Sequence, residues 1–127
     1  MKKILAFTVL LIIIVSNISR AYSIEADIFV QSTVNRASQA LSDKFSKEEK
    51  IEKLKQIATD AVDIKGIAFY TLGSHRKTIS SEQLKEYHIL FKEYFLKSFS
   101  SRLAEYSNPE IEVISKKKLN ENYTMVS

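Results

Sequence analysis

The amino-acid sequence predicts an α+β domain in which four helices precede the first two strands of an antiparallel sheet. Apolar residues recur with the helical period of about 3.6 up to Pro109, and with the strand period of about 2 after it. Serine, aspartate, glycine and proline also lie where these helices would begin and end. We therefore expect a helical region before Pro109 and a hairpin after it.

Residues 1–23 have the composition of a secretory signal peptide. Two lysines precede an apolar run at residues 4–15, and the small residues Ala21 and Ser23 follow it. A membrane-spanning helix needs about 20 apolar residues, so this run is too short to act as an anchor. We expect export with cleavage after Ser23, which leaves residues 24–127 as the mature domain, and name Ala21 as the second choice of cleavage site.

Composition excludes several classes of protein. The chain has no cysteine, so an exported form has no disulfide framework, thiolate metal site or lipid-modified cysteine. Residues 1–23 hold three of the 19 basic residues and none of the 15 acidic ones, which leaves a charge of about +1. Nucleic-acid-binding domains are strongly basic, so no nucleic-acid partner is expected.

The first two helices are defined by their apolar faces and by one cap. Residues 25–44 form the first, because a single face collects Val30, Val34, Ala37, Leu41 and Phe45. The second begins at Ser46, since Ser46 and Glu49 have the spacing of a capping box. Its apolar stripe consists of Ile51, Leu54, Ala58 and Ala61.

The third and fourth helices are bounded by clear start and stop signals. Asp63 is the predicted N-cap of the third helix, and Gly73 ends it because glycine adopts the left-handed C′ conformation at little cost. Ser80 begins a second capping box. The fourth helix then continues to about residue 106, and Pro109 prevents further extension.

The C-terminal residues predict two strands, at 111–115 and 123–126, joined by a polar connection at 116–122. An isolated hairpin is marginally stable in water, which leaves two interpretations open: a complete helical protein with a small hairpin, or a longer domain cut short. The lysines at 116–118 are either a solvated turn or a contact for anionic headgroups.

A search for catalytic or metal-binding residues gives a negative result. His75 and His88 share no helix face with a second metal ligand, and Asp63 is accounted for as a helix cap. The sequence contains neither a glycine-rich phosphate loop nor a nucleophile elbow. We therefore predict no enzymatic activity, no metal and no cofactor.

The fourth helix is the most informative segment, because its apolar residues cover more than one side. These residues are Leu84, Tyr87, Leu90, Phe91, Tyr94, Phe95, Phe99, Leu103 and Tyr106. Either the helix is a central core helix, or it buries one side and presents the other to an apolar cavity. Pockets for apolar ligands are lined by such side chains.

The middle of the chain resembles the periplasmic phospholipid-binding component of the Mla lipid-transport system, the MlaC or toluene-tolerance auxiliary family. The matching positions are Val62-Asp63, Ile67-Ala68, Leu72-Gly73, Gln83, Tyr87, Phe91 and Leu103. The signal peptide and the amphipathic first helix agree with the same family. Arg76 departs from it, because the family usually has an aromatic residue shortly after the Leu-Gly pair.

The resemblance implies a carrier that moves phospholipid through the periplasm, with acyl chains held between helices and a curved sheet. It implies an inner-membrane ABC transporter and an outer-membrane complex as partners. Family members continue with further strands, so it also implies that this chain is a truncated, N-terminal part. Four matched positions are expected near the lipid: Ile67, Leu72, Tyr87 and Phe91. Phe95 and Phe99 are added from the helix pattern alone.

Two other functional hypotheses remain open at this stage. A gene remnant would lack a closed cavity and would be a partly folded fragment. An exported helical adaptor or chaperone would use the same apolar helix without carrying lipid.

Overall fold

The structure is a computed structural model that describes residues 24–127, so the predicted signal peptide and its cleavage site lie outside the described residues. A 3₁₀ turn (Gly73–Lys77) joins the third and fourth helices. The elements are α1 (Ala26–Ala40), α2 (Lys47–Ala61), α3 (Ile64–Thr71), α4 (Ser81–Leu103), β1 (Lys116–Lys118) and β2 (Thr124–Val126). The predicted α+β class, with four helices followed by two antiparallel strands, is confirmed.

Both predicted capping boxes are present. The Glu49 N–H donates to Ser46 Oγ at 3.2 Å, and the Ser46 N–H donates to Glu49 Oε2 at 2.8 Å. Ser80 and Gln83 exchange the same pair of bonds, at 3.2 and 3.1 Å. These bonds satisfy backbone donors that the first turn of a helix leaves unpaired, so the caps fix where α2 and α4 begin.

Helix α3 is short and is bounded by an aspartate and a glycine, as predicted. Asp63 Oδ1 accepts from the Gly66 N–H at 2.9 Å. A Cβ on Gly66 would clash with the Asp63 carboxylate, so the missing side chain makes room for the cap. Gly73 has φ +54°, a conformation that L-residues with a Cβ adopt only at a cost. The chain therefore turns there into the 3₁₀ segment.

Helix α1 ends at Ala40, four residues before the predicted end, so Phe45 lies in the α1–α2 turn instead of on the helix. The turn is bonded to the segment after α4. The Asn108 N–H donates to the Leu41 carbonyl at 3.1 Å, and the Asp43 N–H donates to Asn108 Oδ1 at 3.3 Å. These non-local bonds replace further helical bonds. Helix α4 likewise ends at Leu103, three residues early.

Helix α2 occupies the centre, with α1 and α4 packed against it and α3 packed against α4. Leu54 is only 1 % exposed. It lies in the buried cluster formed by Ala40, Leu41, Leu54 and Ala104. The core is therefore built where α1, α2 and the end of α4 meet. No helix within residues 24–127 has both the length and the apolar character needed to cross a bilayer.

Lys50 is buried in the same region, with 6 % of its surface exposed. Its Nζ donates to the Tyr106 carbonyl at 3.4 Å and to Ser107 Oγ at 3.3 Å. A cation is favourable near the carbonyls that follow a helix C-terminus, so Lys50 joins α2 to the segment after α4.

The prediction of a strand at residues 111–115 was wrong, because β1 lies at Lys116–Lys118, within the predicted connection. Lys116 pairs with Val126, and Lys118 pairs with Thr124. The turn sets this register: Asn120 Oδ1 accepts from the backbone N–H groups of residues 122 and 123. The Val113 N–H instead donates to the Gln31 side chain of α1 at 3.3 Å. The second strand was predicted within one residue.

The hairpin is attached to α1 through Lys116, whose Nζ donates to Asp27 Oδ1 at 2.9 Å and to Glu25 Oε2 at 3.0 Å. The hydrogen bond from Lys116 lowers the pKa of Asp27 below its ordinary value of 3.8. The same carboxylates, Asp27 first, raise the pKa of Lys116 above 10.5. The attachment is therefore strongest when all three groups are charged.

We expect this attachment to give a defined pH dependence. Its contribution to stability is present above the ordinary pKa of an aspartate and is lost as the pH falls through the lowered pKa of Asp27. At high pH this contribution to stability is lost as the pH rises through the raised pKa of Lys116. Lys116→Gln should lower the melting temperature slightly at neutral pH and not in strong acid. Lys117→Gln is the control, and an equal effect of both variants would contradict the assignment.

Candidate functional site

Four aromatic side chains of α4 form a continuous row of neighbouring rings, which we call the aromatic ladder: Tyr87, Phe91, Phe95 and Phe99. Successive ring centroids are 5.8, 6.2 and 5.5 Å apart. The last two pairs are nearly parallel, with interplanar angles of 19° and 10°. Residues four apart lie on one helix face, so the sequence spacing alone generates this stack. All four side chains are half-buried.

Helix α3 covers the N-terminal end of the ladder. Thr71 Oγ1 and the Tyr87 hydroxyl lie 2.9 Å apart, in hydrogen-bond contact. The two predicted site residues outside α4 belong to this region: Ile67 is on α3 and partly exposed, and Leu72 is half-buried at the α3 C-cap. Thr71 was missed by the sequence analysis, because nothing in its local pattern distinguishes it from an ordinary helical threonine.

A second apolar surface lies on α4 beside the ladder, as predicted from the distribution of its apolar residues. Leu90 is 57 % exposed and Tyr94 is 70 % exposed. Leu90 and Tyr87 line a pocket of about 420 Å³ between α4 and the 3₁₀ turn. Helix α4 is thus both a packing helix and an exposed apolar surface. Because α2 occupies the centre of the fold, α4 is not the central core helix of the first interpretation. The second interpretation, in which the uncovered side of α4 faces an apolar cavity, stays a prediction.

A larger pocket, of about 720 Å³, lies between the α1–α2 turn and the segment at Asn108 and Pro109. Its apolar wall includes Phe45, and the ammonium groups of Lys44 and Lys53 lie 4.9 and 4.4 Å from the centroid of that ring. None of the six predicted site residues lines this pocket. It is open to solvent and has the charged residues Arg36, Lys44 and Lys53 in its lining, unlike a site that encloses acyl chains.

One ion pair joins α1 to α2 beside the larger pocket. Arg36 Nη2 donates to Asp60 Oδ2 at 2.7 Å, and this bond holds the pKa of Asp60 below its ordinary value of 3.8. Within residues 24–127 no cluster of three histidine, aspartate or glutamate side chains could hold a metal ion. The ladder is a half-exposed apolar surface, with the hydrogen-bonded hydroxyl groups of Thr71 and Tyr87 at one end.

The fold and this surface define a class: a small α+β protein whose longest helix carries a half-exposed aromatic stack. The family model described as MlaC protein matches residues 30–127, and the chain belongs to the MlaC family. The resemblance found in the sequence is therefore confirmed. Comparison with curated proteins and with solved structures gives no match. The MlaC family consists of periplasmic lipid-binding carriers and is not a family of enzymes.

Proposed function

We propose that this chain is a periplasmic phospholipid-binding carrier and that the aromatic ladder contacts the acyl chains. The observation that supports this most is the ladder itself, four neighbouring rings that remain half-exposed along one helix. Family membership supports the general activity. The ladder supplies the particular residues: Tyr87, Phe91, Phe95 and Phe99 along α4, with Ile67 and Leu72 at its α3 end.

The length of the ladder agrees with this role. Tyr87 and Phe99 are twelve residues apart, which at 1.5 Å per residue corresponds to about 18 Å along the helix axis. One leaflet of a bilayer has a hydrocarbon thickness of about 15 Å, half of the whole core. An extended acyl chain lying along the ladder would therefore contact rings over most of its length.

The energetics also favour a surface of this kind. Each CH₂ group transferred out of water contributes about 0.8 kcal/mol, so a carrier needs a long apolar surface to compete with the bilayer. No bond is made or broken in such binding, so the proposal requires no catalytic group. From family membership we also propose the inner-membrane ABC transporter and the outer-membrane complex of the Mla system as its partners.

The test is to express the full chain in a Gram-negative host, release the periplasm by osmotic shock, and purify the protein. We expect organic extraction and mass spectrometry to detect phospholipid at a near-constant ratio to protein. The intact mass of the same sample shows whether the signal peptide has been removed, and whether the cut lies after Ser23 or after Ala21. A folded periplasmic protein with no phospholipid would argue against the carrier role and favour the exported adaptor or chaperone.

A further inference from the structure

We propose that one end of the molecule is a docking surface for anionic phospholipid bilayers. This surface, the basic end, consists of α3 and the 3₁₀ turn, with the cations Lys65, Arg76 and Lys77 and the aromatic residues Phe69 and Tyr70. The proposal goes beyond the carrier function, because contact with a bilayer does not require that lipid be held on the ladder.

The segments that form the basic end carry positive charge only. The chain has no acidic residue between Asp63 and Glu82, and the side chain of Asp63 is occupied by its cap bond to Gly66. None of the three cations forms an ion pair among the described residues, and residues 1–23 contain no carboxylate side chain. Basic residues placed in this way are attracted to the negative surface potential of anionic bilayers.

The aromatic residues of the basic end provide the apolar part of the contact. Tyr70 is 78 % exposed, and Phe69 is also exposed. The Arg76 guanidinium lies 5.9 Å from the centroid of the Phe69 ring, so cation and ring form one unit on the surface. Tyrosine is favoured at membrane–water interfaces because its ring is apolar and its hydroxyl is polar. Charge and aromatic character therefore point to the same kind of partner.

The other basic cluster of the chain is less suited to this contact. Lys116 is engaged by Asp27 and Glu25, so only Lys117 and Lys118 of that cluster remain without an ion pair in the described part of the chain. The basic end, in contrast, is directly connected to the ladder, because Thr71 of α3 is in hydrogen-bond contact with Tyr87. A bilayer bound at α3 would therefore lie next to the first ring of the proposed lipid site.

The test uses flotation of the purified protein with vesicles of phosphatidylcholine alone or mixed with phosphatidylglycerol. We expect binding to the anionic vesicles only, and weakening by salt. A basic residue near such a surface contributes about 1 kcal/mol, or about fivefold in affinity, so Arg76→Gln/Lys77→Gln should lower affinity about 25-fold. Tyr70→Ser should lower it further without changing the melting temperature.

The matched control is Lys117→Gln/Lys118→Gln, which removes the same charge from β1 and should leave vesicle affinity unchanged. Equal loss in both double variants would overturn the proposal, as would equal binding to neutral and anionic vesicles. If the unaltered protein is a dimer and Tyr70→Ser dissociates it, the surface binds a second copy of the chain instead of a bilayer. Phospholipid content is measured separately, so a failure of vesicle binding is distinct from a failure of the carrier function.

Discussion

Leu54→Ala should lower the free energy of unfolding by about 3 kcal/mol, within the range of about 2–5 kcal/mol for a buried leucine truncated to alanine. Leu54 is almost fully buried in the cluster with Ala40, Leu41 and Ala104, so the change leaves a cavity where α1, α2 and α4 meet. Small domains have limited stability to lose, and a loss of this size is a large fraction of the total. Urea denaturation followed by circular dichroism measures it.

Leu90→Ala is the matched control, since it makes the same substitution on a helix at a largely exposed position. We expect Leu90→Ala to change the free energy of unfolding by about 0.5 kcal/mol or less, the usual size for a substitution at an exposed site. Equal effects at Leu54 and Leu90 would show that the α1–α2–α4 cluster is not the stabilising core.

Phe95→Ala should lower phospholipid affinity about tenfold. Phe95 lies in the middle of the ladder, with Phe91 and Phe99 stacked on either side, so its removal interrupts the surface that we propose for the acyl chain. A fully buried phenylalanine contributes about 1.5–3 kcal/mol. Because Phe95 is already half-buried, we take the lower end of that range, and about 1.4 kcal/mol corresponds to tenfold. Titration of delipidated protein with a fluorescent phospholipid measures the effect.

Tyr94→Ala provides the control for this variant. Tyr94 is adjacent to Phe95 in sequence but lies about 100° from Phe95 around the helix axis. Most of the Tyr94 surface is exposed. We expect its removal to leave affinity within about twofold of the unaltered protein, a difference well below the tenfold step that about 1.4 kcal/mol represents. If Tyr94→Ala weakens binding as much as Phe95→Ala does, the contact surface is not confined to the ladder. Melting curves of both variants confirm that the comparison is made between folded proteins.

The sequence was most informative where structure depends on residues close together along the chain. Both capping boxes, the Asp63 cap and the Gly73 stop involve contacts within one helical turn, so spacing was sufficient to predict them. The ladder is a local feature for the same reason, since residues four apart on a helix are neighbours. Its exposure was not predictable, because two interpretations of α4 remained open until the packing was known.

The errors occurred where a distant partner or a tight turn fixes the backbone against the local apolar pattern. Asn108 bonds to the α1–α2 turn, which ends α1 at Ala40 even though the apolar pattern continues to Phe45. The turn at Asn120 sets a register that places β1 at Lys116–Lys118, whereas the alternating pattern favoured residues 111–115. In both cases a partner far along the chain, or the geometry of a turn, outweighed a correct local pattern.

The sequence by itself determined the fold class, the starts of the helices, the apolar character of α4 and the family, because each follows from local spacing or from matched motifs. Only the tertiary structure decided which side of α4 is covered, that Lys50 is buried, and that Lys116 is neutralised while the cations of α3 and the 3₁₀ turn are not. Burial and ion pairing depend on which elements meet in space. The periodicity of apolar residues cannot specify which elements pack together, because many packings satisfy the same pattern.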